Sequence, residues 1–206
     1  DSSSLPSSSV PPTVRDATAA DLHTVATTLT RAFDDDPVFQ VLFGTPMPSA
    51  RVEQFFAIAA GIAQRRREGL VQVTAGGEGA TVWAPPGQWK MPASDIVRHA
   101  PGMVRSFRGR MFANLKVLNV LEAHHPEEPH WYLEFIGTDP AHQGKGIGSA
   151  LLQPMVDRCD EEGIGAYLEA SKEANIPFYA RFGFEVTERI TLPGDVDEWL
   201  MWRSPR

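Results

Sequence analysis

The sequence predicts an α/β chain of the α+β kind, with a mixed central sheet and helices on both faces. Three observations carry this. Residues Trp131–Gly148 (WYLEFIGTDPAHQGKGIG) read as an apolar strand, a polar turn and a glycine-rich entry into a helix. Runs at helical spacing fill much of the first half, and short β-rich runs close the chain. A chain of 206 residues without internal repeats fits one domain with a substantial core. We expect residues 13–206 to form that domain and residues 1–12, DSSSLPSSSVPP, to be a disordered tail without the basic and apolar regions of a secretion signal.

Each element has its own signal. Thr13–Arg15 is a short first strand, and Asp21 stands where a cap precedes a helix that turns Leu22, Val25, Leu29 and Phe33 inward. After Pro48, Val52, Phe55, Phe56, Ala59 and Ile62 recur at helical spacing, and the basic run Arg65-Arg66-Arg67 closes that helix, where cations suit its dipole. Leu70–Thr74 and Gly79–Ala84 form a hairpin around Gly76-Gly77. Residues from about Ser94 to Leu121 read as helices broken at Pro101-Gly102. The Trp131 strand follows, then a long helix containing Pro154 and a strand over Ile164–Ala170. A short helix at Asn175 precedes two last strands, Val186–Leu192 and Glu198–Arg203.

Function is most legible at the glycine-rich turn. A strand, such a turn and a helix start point unpaired main-chain N–H groups at an anion, and Lys145 adds a cation beside them. A Walker phosphate loop is excluded, because Asp139 and Gly146 stand where it needs Gly and Ser or Thr. A dinucleotide fingerprint is met by Gly144 and Gly146, with Glu169 at the expected distance, but Ser149 replaces its last glycine. The pattern Q/R-x-x-G-x-G/A is met in full by Gln143, Gly146 and Gly148.

That pattern resembles the pyrophosphate-binding signature of the GCN5-related N-acetyltransferases (GNAT). Asn175–Phe184, NIPFYARFGF, is similar to the same superfamily's helix-to-strand segment ending Y-x-x-x-G-F. From about His125 onward the chain resembles puromycin N-acetyltransferase-like members most, through Pro129-x-Trp131, the Gln143–Ser149 turn, Leu168-Glu169-x-Ser171 and Pro177-Phe178-Tyr179. The first hundred residues are similar more loosely, through Ala32-Phe33-Asp34 and Val82-Trp83. The resemblance implies the GNAT acyl-CoA N-acyltransferase fold and acetyl-CoA (coenzyme A) as co-substrate, with no metal. It implies that main-chain groups of Ile136, Gly137 and Thr138 hold the pantetheine arm like an added strand. The pyrophosphate would lie on Gln143, Gly144, Lys145, Gly146, Ile147, Gly148 and Ser149, with Asn175 and Phe178 as further contacts. Tyr179 would protonate the departing thiolate.

The residues themselves carry a parallel reading. Strand alternation puts Trp131, Leu133 and Phe135 on one face and Tyr132, Glu134 and Ile136 on the other, so Glu134 is an acid on a strand built for burial. Burial would raise its pKa and suit it to take a proton from an ammonium; the alternative is a solvated carboxylate. Tyr179 is either that acid or a core tyrosine, and Asn175 either a coenzyme contact or a helix cap. Asp34-Asp35-Asp36 reads first as a solvated charge run and second as the rim of a site for a cation. His124, His125 and His130 lack metal-motif spacing and read as solvated, while Trp83, Trp89, Phe107 and Phe112 read as core before acceptor-pocket lining.

Composition sets limits. A net charge of −7 argues against nucleic acid as a partner and favours a cationic substrate. The lone cysteine, Cys159, lies on an apolar helix face and suits a reducing, cytoplasmic setting. No stretch has the ~20 apolar residues of a membrane span. The expectation is therefore direct acetyl transfer to a primary amine of a small cationic or antibiotic-like molecule, by a monomer or homodimer. Transfer to a protein lysine or N-terminus is the alternative within the class. A dinucleotide-binding oxidoreductase and a non-catalytic CoA-binding sensor are the alternatives outside it.

Overall fold

The computed structural model describes residues 12–206; nearly all of the expected tail lies outside them. A seven-stranded sheet runs in the order β1-β2-β3-β4-β5-β7-β6. Its strands are β1 (Val14–Asp16), β2 (Leu70–Thr74), β3 (Gly79–Ala84), β4 (His130–Thr138), β5 (Gly165–Ala170), β6 (Glu185–Leu192) and β7 (Val196–Arg203). All neighbours pair antiparallel except β4 and β5, which are parallel. The helices are α1 (Leu22–Ala32), α2 (Pro37–Phe43), α3 (Ser49–Arg65), α4 (Ala93–Phe107), α5 (Met111–His124), α6 (Ile147–Glu162) and α7 (Ile176–Ala180).

The two faces of the sheet hold different cores. On one, Val25 and Leu29 of α1 and Val52 and Phe56 of α3 pack on Val71, Val73 and Val82. Farther along it, Val38 of α2 and Val117 of α5 cover Tyr167, Ile190 and Leu200. On the other face, Leu152, Met155 and Cys159 of α6 and Tyr179 of α7 meet Trp131, Leu133, Leu168 and Met201. Phe33, Phe39, Phe55, Phe56 and Phe135 form a continuous aromatic cluster beneath α1 and α3, their ring centroids 4.8–6.3 Å apart.

Several sequence expectations are corrected. Asp21 stands at the N-cap position of α1, as expected, but its side chain does not cap that helix. It ends a short 3-10 turn, accepts from the Thr18 N–H at 2.8 Å and pairs with Arg15, because Thr18 starts the helical path three residues earlier. Helix α2 has no counterpart among the sequence expectations, although an Asp before a Pro is a helix-start signal. Asp36 caps it, accepting from the Phe39 N–H at 2.9 Å. Pro101 does not break the fourth helix: it lies on the exposed face, where the carbonyl it leaves unbonded meets water. The chain breaks instead at Arg108 and Gly109, both at positive φ (35° and 54°). Pro154 is likewise exposed within α6.

The decisive irregularity lies in β4. Leu133 pairs with Trp83 and Phe135 with Val82, so one residue of β4, Glu134, faces consecutive positions of β3 as an extra. The simple alternation read from sequence therefore fails beyond Leu133. Phe135 joins the α1–α3 face, and Ile136 turns to the α6 face with Trp131 and Leu133. Pairing with β5 also stops at Leu133↔Leu168, leaving the other edge of residues 134–138 unpaired.

Helix α1 sits directly against that stretch at Gly137. A Cβ there would lie 2.6 Å from the Cβ of Ala32 and 3.0 Å from Cδ2 of Leu29. Gly137→Val should destabilise the protein by about 1–3 kcal/mol through overpacking. A denaturation midpoint equal to that of the wild type would show that α1 does not need this contact.

Candidate functional site

The parting of β4 from β5 opens a cleft of about 540 Å³. It is lined from the α6 side by Ile136, Gly148, Phe178 and Tyr179 and from the other by Phe33, Asp36, Leu42, Tyr132, Glu134, Glu169 and Glu198. The cleft thus passes between the strands, and groups from both faces of the sheet meet in it.

The α6 entrance has the features of an anion cradle. Gly144 and Gly146 adopt φ of 75° and 79°, a conformation only glycine takes without strain, and Gly146 caps α6 in the left-handed region. Among the described residues, no main-chain N–H from Gly144 to Ser149 has a protein acceptor; the first to find one is Ala150, donating to the Gly146 carbonyl at 3.0 Å. An ideal Cβ on Gly144 or Gly146 would meet nothing within 4 Å, so that side of the turn is open. Gln143 is exposed and reaches the cleft rim, while the Lys145 ammonium is exposed and lies 3.4 Å from the Ala141 carbonyl. Ile147 offers only its N–H, because its side chain is buried under Gly79. Gly148 faces Phe178, whose ring edge would stand 3.2 Å from a Cβ. Asn175 makes no capping hydrogen bond and lines the cleft instead.

The polar centre differs from a sum of lone residues. Tyr179 is buried in α7, and among the described residues its hydroxyl has no hydrogen-bond partner. Burial, then the charges of Asp36 and Glu198, push its pKa up, so the phenol keeps its proton through neutral pH. Glu134 is no solvated carboxylate. Its Oε1 accepts from Arg66 Nη1 at 2.7 Å, with both side chains nearly enclosed. Burial raises its pKa, the Arg66 charge and hydrogen bond oppose that, and Glu169 adds to the rise. Arg66 was read only as a helix-end cation, yet it alone of the three arginines turns inward, because the chain becomes extended at this residue.

Sequence reasoning gave Glu198 no role, gave Glu169 one only in the dinucleotide reading, and put Asp36 in a charge run read first as solvated and second as a cation rim. Asp36 is 4% exposed, and besides capping α2 it accepts a short hydrogen bond from the Ser171 hydroxyl. Burial raises its pKa against that bond. Its neighbour Asp35 pairs with Lys172 at 2.5 Å. Glu169 accepts from the hydroxyls of Tyr132 (2.5 Å) and Tyr167 (3.2 Å). His125 and His130 are buried rather than solvated. Their Nε2 atoms lie 3.1 Å apart and Trp89 stacks on His125 at 3.7 Å. Trp83 and Phe107 are core, and Phe112 is exposed. Cys159 is fully buried, and burial lifts its thiol to about 12.

A profile of the acetyltransferase (GNAT) family matches residues 102–184, the segment carrying the bulge, the glycine turn and Tyr179. An uncharacterised N-acetyltransferase of Schizosaccharomyces pombe is 31% identical over 204 residues, covering 91% of this chain and 81% of the relative. The chain belongs to the GNAT family. Its members are acyltransferases that use acetyl-CoA as co-substrate. A crystal structure described as histone acetyltransferase HPA2 and related acetyltransferase, from Corynebacterium glutamicum, superposes with a TM-score of 0.72 at 29% identity, covering 96% of this chain and 98% of that one. Drosophila melanogaster polyamine N-acetyltransferase shares the fold at a TM-score of 0.62 and 15% identity, over 93% and 99% of the two chains. Among the described residues no helix is long and apolar enough to cross a membrane.

Glu198 gives this GNAT site a measurable signature. Burial, then Glu169 and Asp36, raise its carboxyl well above the ordinary range. The folded protein therefore holds that proton more tightly than the unfolded chain. Its contribution to stability is complete below the unfolded pKa and is lost as pH rises through the folded one. Glu198→Gln removes the titration, so the variant should gain on the wild type progressively as pH rises above about 4, the unfolded carboxyl's range. Denaturant unfolding across that range measures it, and a pH-independent difference would contradict the assignment.

Proposed function

We propose that the protein is an acetyl-CoA-dependent N-acetyltransferase that passes acetyl directly to a primary amine of a small, cationic molecule. One observation carries this reading. The unpartnered N–H row at the α6 start and the acid-lined chamber under α2 and α5 open into one cleft, with Tyr179 between them. An anion-binding entrance on one face and a cation-attracting chamber on the other suit a phosphate-bearing acyl donor and an ammonium acceptor. Bound there, acetyl-CoA supplies the activated thioester.

The chain's own groups then have distinct tasks. Gln143 to Ser149 receive the pyrophosphate on main-chain N–H groups, helped by Lys145. The free β4 edge at Ile136, Gly137 and Thr138 receives the pantetheine as an added strand, with Asn175 and Phe178 beside it. Glu134 takes a proton from the acceptor ammonium, directly or through water, and the Arg66 guanidinium keeps the carboxylate oriented. Tyr179 gives its proton to the departing sulfur. Cys159 is too deeply packed to carry an acetyl group, so Cys159→Ala should stay active and no acetyl-enzyme should accumulate in rapid-quench experiments. The resemblance of the residues from about His125 onward to puromycin N-acetyltransferase-like members supports an antibiotic-like amine as one form of this acceptor. The setting would be cytoplasmic.

The test is a thermal-shift and kinetic pair. Acetyl-CoA should raise the melting temperature and NAD should not; stabilisation by NAD alone would refute the proposal. Tyr179→Phe should lower kcat by about 10²–10⁴-fold with the acetyl-CoA KM little changed. Glu134→Gln should remove the acidic limb of the pH–rate profile, and an amine of low pKa should partly restore it. Near-full kcat in Tyr179→Phe would make the tyrosine structural.

A further inference from the structure

The proposed function fixes one amine on the acceptor and says nothing of the rest of the molecule. The chamber under α2 and α5 says more, on the premise that the acceptor enters it. Of the five acids lining the cleft, Asp35 and Glu134 are paired with Lys172 and Arg66, which leaves Asp36, Glu169 and Glu198. Two of them already have structural work. Asp36 caps α2 and holds Ser171, and Glu169 receives two tyrosine hydroxyls.

Glu198 has none. It is 5% exposed, its Oε2 is buried without a hydrogen-bond partner, and among the described residues no donor reaches either oxygen. The nearby cations are committed elsewhere: Arg66 to Glu134, Lys172 to Asp35 and Arg189 to Asp197. The charged groups felt by Glu198 are both acids, Glu169 and Asp36. Burying a carboxylate beside other carboxylates with no donor is costly. The walls nearby are apolar, with Val38, Leu42 and Leu121 lining the same chamber.

We infer that Glu198 is the seat of a second cationic group on the acceptor, so that the preferred acceptor is a diamine with a methylene stem between its nitrogens. One nitrogen meets Glu134 and Tyr179 for acetylation. The other is held by Glu198, with Asp36 and Glu169 adding to the negative potential, while the stem lies on the apolar wall. A charge-assisted hydrogen bond is worth about 1.5–3 kcal/mol, roughly 10- to 100-fold in selectivity.

Three acceptors of matched length separate the possibilities: diaminobutane, aminobutanol and butylamine. The wild type should acetylate diaminobutane with kcat/KM at least about tenfold above both others. In Glu198→Gln that ratio should fall to near one, and in Glu198→Asp, where the carboxylate is withdrawn by a methylene, to an intermediate value. A wild type without preference, aminobutanol matching diaminobutane, or a ratio unchanged in Glu198→Gln would each overturn the inference. Should a variant fail to fold, the wild-type ranking still decides. Binding is read separately by melting the CoA-saturated protein with each amine: diaminobutane should raise the midpoint in the wild type and not in Glu198→Gln. Acetylation of none of the three with that shift present would sink the proposed reaction and leave the seat standing. Acetylation without any diamine-specific shift or preference would do the reverse.

Discussion

A parallel pair of strands in the middle of a sheet is normally sealed by its ladder of hydrogen bonds, and the extra residue at Glu134 prevents that here. Beyond Leu133 the two strands part, and everything that makes a site depends on the parting. The free edge of β4, the passage between the faces, and the entry of Tyr179 from one side and of the acids from the other are consequences of one residue of excess length. The bulge also turns Glu134 and Phe135 toward the same side. That places a carboxylate next to the aromatic cluster, in a low-dielectric setting where its protonation is sensitive to a single neighbour, Arg66.

Charge is distributed unevenly around this passage. The glycine-turn side offers neutral main-chain donors and the exposed Lys145, whereas the opposite chamber concentrates buried carboxylates, with the Arg66 guanidinium among them. Such an arrangement stores unfavourable electrostatic energy in the free protein, visible in the raised carboxyls of Asp36, Glu134 and Glu198. A ligand bearing positive charge relieves it. The net acidity of the chain is thus partly organised rather than spread evenly over the surface.

The sequence made the glycine turn, the long helix and the hairpin legible because each rests on local rules: φ > 0 at glycine, helical spacing, and turn residues between strands. The hairpin strands agree residue for residue with the structure. The family follows from the same local segments. What could not be read is what depends on distant partners. Nothing in Arg65-Arg66-Arg67 distinguishes the inward arginine, and strand alternation around Glu134 looks regular until β3 supplies its register. Glu198 resembles any acid in a closing strand; its surroundings are set by Glu169 on β5 and by Asp36, more than a hundred residues away. Asp36 was recoverable, since an Asp-Pro pair before an apolar run is a helix start, but its bond to Ser171 was not.

That bond has a temporal side. Asp36 to Ser171, Asp35 to Lys172 and Arg31 to Asp139 tie the first third of the chain across the second half over separations of 135, 137 and 108 residues. A chain emerging from the ribosome can build the α1–α3 layer on the β2–β3 hairpin early. It cannot close the chamber until β5, α7 and β7 have been made. Contacts of such long reach are slow to form. The site is therefore among the last parts of the molecule to form, and a chain cut before β5 would have the hairpin layer without the acid chamber.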